Sequence, residues 1–288
     1  MTDEATGRTA PATAGPAPAT AGPAPASPAG RPRVSHPGGL KVLFKLTWIE
    51  LKLFLREPTT IVFTFAFPVV LMFVLGEVFG NQPGGSNERV FAGTGAMNYY
   101  APAYIAVVAM SVGVIMLPAR LTDYRSGGVL RRFRASLVPI WAVLGSQVLA
   151  ALVLGVIGSV LVAAFAAIFY SVHFPDSLAL LAAGFVLCSA AFAAIGTLLG
   201  AVMPSPRAAQ GAGLMLFFVM LFLSGASVPM EVMSNTMVKI GDFLPLTYGV
   251  DLLQAAWSGG TWDWTAAIVL IGIAIVAGFL SLRVYRWG

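Results

Sequence analysis

Between two long apolar runs, the stretch Arg120-Leu-Thr-Asp-Tyr-Arg-Ser-Gly-Gly-Val-Leu-Arg-Arg-Phe-Arg-Ala-Ser-Leu-Val-Pro139 gathers five of the seventeen Lys and Arg residues of the chain. Arg120, Arg125, Arg131, Arg132 and Arg134, with Asp123 among them, carry guanidinium forks suited to two-pronged pairing with carboxylates on a partner. Gly127-Gly128 breaks helical geometry, and Pro139 opens the next helix. Between these breaks Val129, Leu130 and Phe133 fall within an arc of about 100° on a helix, and Arg131, Arg132 and Arg134 take the other side. The segment reads as a short, two-faced docking helix for something outside the membrane. A connector kept basic only because cytoplasmic loops are basic is the other reading.

Other reactive chemistry is sparse. The lone Cys188 falls in an apolar run with no second cysteine to pair with, and the two histidines, His36 and His173, lie far apart in the sequence. No HExxH, paired-cysteine, nucleophile-elbow or GxxxxGK[ST] pattern occurs, so neither a catalytic centre nor a phosphate loop is expected in this chain. A nucleic-acid partner is not expected either.

The elements that must position the basic stretch are membrane helices. The chain has 288 residues, of which 58% are hydrophobic and only 10% charged, far from the composition of soluble domains. Apolar runs near the ~20 residues that cross ~30 Å of hydrocarbon occur at about Thr60–Val78, Tyr99–Leu117, Trp141–Phe169, Leu178–Val202, Ala208–Val228 and Trp264–Leu282. The expected fold is all-α and integral to the membrane, with six spans, the third longer than a crossing needs. With the N-terminus inside, Arg8, Arg31, Arg33, Lys41, Lys45, Lys52 and Arg56, the five arginines of the basic stretch, Arg207, Arg283 and Arg286 are all cytoplasmic, and only Arg89 and Lys239 are outside. That bias predicts a multi-pass protein of the cell membrane with both termini in the cytoplasm.

Residues 1–39 are rich in Ala, Pro, Gly and Thr, and Ala-Thr-Ala-Gly-Pro-Ala-Pro appears at 12–18 and again at 19–25. Such a tract buries too little apolar area to offset its ordering entropy, so it is expected to be a disordered cytoplasmic tail. Lacking the apolar centre of a secretory signal, it is expected to stay attached. Leu40–Glu57 follows as an amphipathic helix. At 100° per residue, Lys41, Lys45, Lys52 and Arg56 fall within about 60° of one another, and the apolar side chains suit a helix lying in the inner interface of the bilayer. Glu50 and Glu57 lie roughly opposite that stripe, where they face protein, another span or a cytosolic partner, or pair locally with basic neighbours.

Between the fifth and sixth spans, Pro245 begins a second amphipathic piece. Leu246, Val250, Leu253 and Trp257 recur at helical spacing, with Thr247, Asp251, Gln254 and Ser258 on another face. It is too short to span and suits a re-entrant or interfacial helix at the outer surface. Gly196-Thr-Leu-Leu-Gly200 permits close helix approach and bears on a dimer seam only weakly. Met215, Met220, Met230, Met233 and Met237 either pack as gap-fillers or offer a pliable surface to varied ligands.

Asp123-Tyr-Arg-Ser-Gly-Gly-Val-Leu-Arg-Arg-Phe-Arg-Ala-Ser resembles the signature inner loop of the ABC type-2 export permeases, whose pattern is roughly Glu-Arg-Glu-x-Gly-Thr-Leu-Arg-Arg-Leu-Arg-Ala-Thr-Pro. Leu55-Arg-Glu-Pro58 followed by Pro68 is similar to the family's Arg-Asp-Pro approach to its first span. Val228-Pro-Met-Glu with Phe243-Leu-Pro-Leu-Thr-Tyr-Gly-Val-Asp-Leu-Leu-Gln254 resembles its outer Pro-Leu-Thr-Tyr-x-x-Asp signature. The likeness covers residues 40–288, and the daunorubicin-resistance-like branch of drug exporters is the nearest in pattern. Asp123-Tyr124-Arg125 departs from Glu-Arg-Glu, and Gln254 stands where many members have Arg.

The resemblance implies a permease pair, of one kind or two, working with two ABC ATPase subunits that hold ATP and Mg. It implies that Asp123, Arg125, Gly127, Gly128, Val129, Leu130, Arg131, Arg132, Phe133 and Arg134 form the coupling element on the ATPase. The leading helix with Lys41, Lys45, Glu50, Lys52, Arg56 and Glu57 would dock beside it. Pro245, Tyr248, Asp251 and Gln254 would belong to a cap over the outer end of the export route, and the cargo would be a drug, lipid or glycolipid. Physical chemistry agrees on the need for a powered partner. A proton-coupled carrier places ionisable groups deep in the bilayer, and here Glu77, Arg120 and Asp123 all lie near span ends. A stand-alone secondary carrier or channel is the alternative, and a membrane enzyme ranks last.

Overall fold

Proline sets the shape of the first two spans. The structure, a computed structural model, describes residues 39–80, 91, 95–127 and 140–284. The elements are α1 (Gly39–Phe54), α2 (Pro58–Ile61), α3 (Phe67–Phe79), α4 (Ala96–Ser111), α5 (Leu117–Ser126), α6 (Ile140–Tyr170), α7 (Leu178–Val202), α8 (Pro206–Leu223), α9 (Asn235–Gly241), α10 (Pro245–Ser258) and α11 (Trp264–Val284), and no strand occurs among the described residues. Two π-helical segments, Val62–Ala66 and Val112–Met116, join α2 to α3 and α4 to α5. Each ends just before a proline at the second position of the next helix, Pro68 or Pro118. A proline ring crowds the carbonyl four residues back and has no N–H to give it, so widening the helix there relieves both problems. The first π segment lies against the end of α4, where the buried hydroxyls of Thr64 and Ser111 bond at 3.3 Å.

Among the described residues six helices are long and apolar enough to cross a membrane: Val62–Phe79, Ala96–Ser126, Gly145–Tyr170, Leu178–Val202, Pro206–Leu223 and Trp264–Val284. The sequence-predicted spans agree in number and order, and the fourth agrees at both ends. The second is longer than expected. Arg120, Asp123 and Arg125, expected in a connector, are the last helical turns of a 31-residue helix that stops at Gly127. The fifth is shorter than expected. Past Leu223 the chain turns at Gly225, whose φ of +80° suits glycine. The carbonyls released there are met from α4, by the Tyr99 hydroxyl donating to Gly225 O and the Tyr100 hydroxyl to Ser227 O, each at 3.2 Å. Buried carbonyls near a membrane need such partners.

The second span is the axis of the bundle, and its most apolar 18 residues are all buried. Glycines on its neighbours let their backbones come against it. A Cβ built on Gly196 of α7 would lie 1.9 Å from Gly113 O, and one on Gly213 of α8 would lie 2.1 Å from Val114 O. On Gly200 it would lie 3.1 Å from Pro118 O. The close approach expected of Gly196 and Gly200 is therefore made within the chain, onto the second span. Thr122 adds a polar tie, its hydroxyl shared between Pro118 O at 2.7 Å and Gly200 O at 3.2 Å.

Cys188 is buried and free, beside Gly249 of α10. Met220 packs in the core, and the Met230 side chain lies against Gly225 and Gly241. The segment expected to be a disordered tail lies outside the described residues, apart from Gly39.

Candidate functional site

At one end of the bundle α1, α5, α6 and α7 meet around four charged groups. Helical geometry places them: on α1 the cations Lys41, Lys45 and Lys52 are exposed, and Glu50 on the other side is 1% exposed. Of the two settings read for Glu50 and Glu57, facing protein and pairing locally, the first is what occurs, and the protein is the second span. The Tyr124 hydroxyl of α5 donates to Glu50 Oε1, and Gln147 of α6 comes up to the same tyrosine. Glu50 Oε2 has no hydrogen-bond partner among the described residues. One helical turn from Tyr124, Arg120 Nη2 pairs with Glu57 Oε1 at 3.2 Å. Arg56 and Glu57 lie past the end of α1, in the turn before Pro58, so the amphipathic helix is shorter than Leu40–Glu57 at that end.

Arg125 points to a third element. Its guanidinium donates to Ala201 O at 2.5 Å and to Met203 O, the last carbonyls of α7. A cation there satisfies acceptors that the helix leaves open and opposes the negative end of its dipole, worth roughly 0.3–1 kcal/mol. Arg125 is thus engaged inside the chain. Asp123, by contrast, is exposed. Gly127 closes α5 with its N–H on Asp123 O at 2.8 Å, so the predicted helix break falls here. Gly128, Val129, Leu130, Arg131, Arg132, Phe133 and Arg134 lie outside the described residues.

The pairing of Arg120 with Glu57 is unequal, with the Arg120 side chain 9% exposed and that of Glu57 35%. Glu57→Gln removes the carboxylate facing a buried guanidinium, whereas Arg120→Met keeps the stem and leaves a carboxylate that water can reach. We expect Glu57→Gln to be the more destabilising by about 1–3 kcal/mol, since an unmatched buried charge outweighs a lost pair. Thermal melts of both variants in detergent check the order, and equal losses would refute it.

At the other end α10 packs on α4 and α7. Its predicted apolar face of Leu246, Val250, Leu253 and Trp257 is buried. Thr247, placed by sequence on the polar face, is buried too, because its hydroxyl donates to Gly241 O at 2.7 Å. Pro245 starts the helix, the Tyr248 hydroxyl donates to Asp242 O at 2.6 Å, and Gln254 Nε2 donates to Tyr99 O at 3.1 Å. The Asp251 carboxyl is raised to about 6, by the low-dielectric mass of the bundle around it and by the charges of Asp263, Asp242 and Glu231. Among the described residues no group of His, Cys, Asp and Glu could hold a metal ion.

The profile of the ABC-2 type transporter family matches residues 41–257, from α1 through α10. The chain belongs to the ABC-2 type transporter family. It is similar to the Bacillus subtilis (strain 168) protein named "Putative transport permease YvfS", with 24% identity over 252 residues, 86% of this chain and 98% of that one. A local likeness joins it to "Uncharacterized protein YhgE" of the same organism, 32% identical over 102 residues, which are 35% of this chain and 13% of that protein. As an ABC-2 chain it is the membrane part of a transporter that works with an ABC ATPase subunit. Within that frame, sequence reasoning missed Tyr124 and Gln147 of the joint. The signal was present for Tyr124, four residues after Arg120 and so on the same face.

Proposed function

We propose that the chain is the permease subunit of an ATP-driven exporter that moves hydrophobic or amphipathic molecules, drugs, lipids or glycolipids, out of the cell. It works as a dimer with a second permease and two ATPase subunits, which hold the ATP and Mg. Residues 40–288 form the transmembrane domain and 1–39 a cytoplasmic tail. The chain sits in the cell membrane with both termini in the cytoplasm, which puts the α1–α5 joint on the ATPase side.

One observation carries this reading. The central span ends at Gly127, two residues before Val129 in the sequence, and α1 and the turn after it are bonded to its last turns through Glu50–Tyr124 and Glu57–Arg120. A movement imposed on Val129–Arg134 by an ATPase is therefore delivered to the axis of the bundle. The spans add support: their described charges, Glu77, Arg120, Asp123, Arg125, Arg207 and Arg283, all fall near span ends, as suits a permease driven from outside.

Reversing Arg131, Arg132 and Arg134 to Glu tests the docking. The expected result is normal membrane insertion with loss of ATPase co-purification and of ATP-dependent transport in proteoliposomes. Co-purification and transport at wild-type levels would remove the assignment, and transport by the chain without any ATPase would make it a secondary carrier or channel.

A further inference from the structure

A cleft of about 570 Å³ opens between α6 and α7, away from the joint. Its volume is in the range of small-molecule and lipid sites. It exists because the facing residues are small: Ala163 and Ala167 of α6 stand against Ala182 of α7, while Ile105 and Trp257 make its floor. Along α6 the lining runs from Val156 to the loop after Tyr170, about 20 Å at 1.5 Å per residue, longer than one ~15 Å leaflet of hydrocarbon. Val160 and Leu178 on its rim are exposed, so the cleft faces the surroundings of the bundle instead of its axis.

At bilayer depth, water does not fill an apolar cleft of this kind. Left empty, its walls forfeit dispersion contacts on one side. An acyl chain fits both the length and the lining. Trp257 in the floor and Ser159 in the wall each carry a buried donor with no partner among the described residues, and the chain-proximal carbonyls of a glycerolipid are acceptors.

The mouth is built to hold a headgroup. The loop after α6 turns through Ser171, whose φ is +50°, an uncommon conformation for a residue with a side chain. It is then pinned on both sides: His173 N–H donates to Asn98 Oδ1 at 3.1 Å, and Asp176 N–H donates to Trp257 O at 3.0 Å. This leaves His173 exposed in the lining of the cleft, and Asp176, three residues on, exposed just outside that lining with its Cβ beside Gly260. An imidazole followed by a carboxylate complements a phosphate followed by an ammonium. An anionic headgroup without an amine meets Asp176 as a like charge.

We propose that this cleft binds one phosphatidylethanolamine-type aminophospholipid of the adjacent leaflet, with an acyl chain between α6 and α7, the phosphate at His173 and the ammonium at Asp176. In the topology proposed above this is the outer leaflet, but the site does not depend on what the chain transports.

The test uses the full chain in nanodiscs containing phosphatidylethanolamine or phosphatidylglycerol, each with a diazirine in the acyl chain, and maps the cross-links by mass spectrometry. The expected result is labelling of the 156–182 segment with a preference of about two- to fivefold for phosphatidylethanolamine, the range one exposed ion pair supports. Asp176→Asn, a surface change, abolishes that preference and keeps the labelling. Ala163→Trp or Ala182→Leu, which fill the cleft, removes the labelling from this segment only. Equal labelling by both lipids in the wild-type chain, or labelling unchanged in a cleft-filling variant that elutes as the wild type does, overturns the proposal in favour of ordinary annular contact.

Discussion

Gly196→Ala is expected to be among the most damaging single-methyl changes in this protein. The added carbon would sit 1.9 Å from the carbonyl oxygen of Gly113, and the obstacle is backbone of the buried central span, so no side chain can swing aside. Overpacking a well-filled core costs about 1–3 kcal/mol, and a clash with backbone belongs at or above the upper end. Gly213→Ala, at 2.1 Å from Val114 O, belongs in the same class. Gly211 and Gly272 are the controls, since a Cβ on either meets nothing within 4 Å. Alanine there is expected to be neutral or to stabilise by roughly 0.4–1 kcal/mol, through the entropy of the unfolded chain and the better helix propensity. Thermal melts of the four purified variants decide it, and a Gly196→Ala protein that melts with Gly211→Ala would mean that α7 does not lie against the second span as described.

The second large effect is functional. Tyr124→Phe removes one oxygen and almost no volume, leaving the buried Glu50 carboxyl without its donor. If α1 and α5 move as one body during the transport cycle, that loss loosens the joint without dismantling the complex. Coupling between sites in proteins is typically 1–3 kcal/mol, so transport is expected to fall by about 5- to 150-fold, with ATPase association and basal hydrolysis by the partner retained. Glu50→Gln alone and the double variant complete a cycle. Because the two groups bond to each other, the double variant should be little worse than either single one. Additive losses, or transport at the wild-type rate in Tyr124→Phe, would show that the bond is structural only.

The spans were legible because hydrocarbon imposes length and composition together, and the fourth was readable to the residue because Ser177 caps its start and Met203 leaves helical geometry. The second span was cut short at Leu117 for a physical reason. Charged residues were counted as leaving the membrane, but Arg120 and Arg125 remain in the helix because Glu57 and the carbonyls of α7 receive them. The fifth was carried too far, to Val228, because Ser224-Gly-Ala-Ser is apolar enough to pass and only tyrosines from another helix make its non-helical backbone tolerable. In the joint, the seven-residue spacing of Glu50 and Glu57 put both acids roughly opposite the basic stripe, facing protein or pairing locally. Which residue of the second span would meet them was not legible, since that depends on how helices 70 residues apart in sequence are rotated against each other.

That rotation has a definite source. A π turn accommodates one residue more than the α-helical ladder around it, so beyond Met116 every side chain of the second span is out of phase with those before Val112 by about 100°. Were the span α-helical throughout, Arg120 and Tyr124 would be turned by more than a quarter of a revolution from the glutamates they now meet. The segment at Val112–Met116 thus clocks the basic end of the axis against its opposite end. Moving that extra residue along the helix would re-aim only the side chains it passes, and the face shown to α1 could change while both ends of the span stay at the same height.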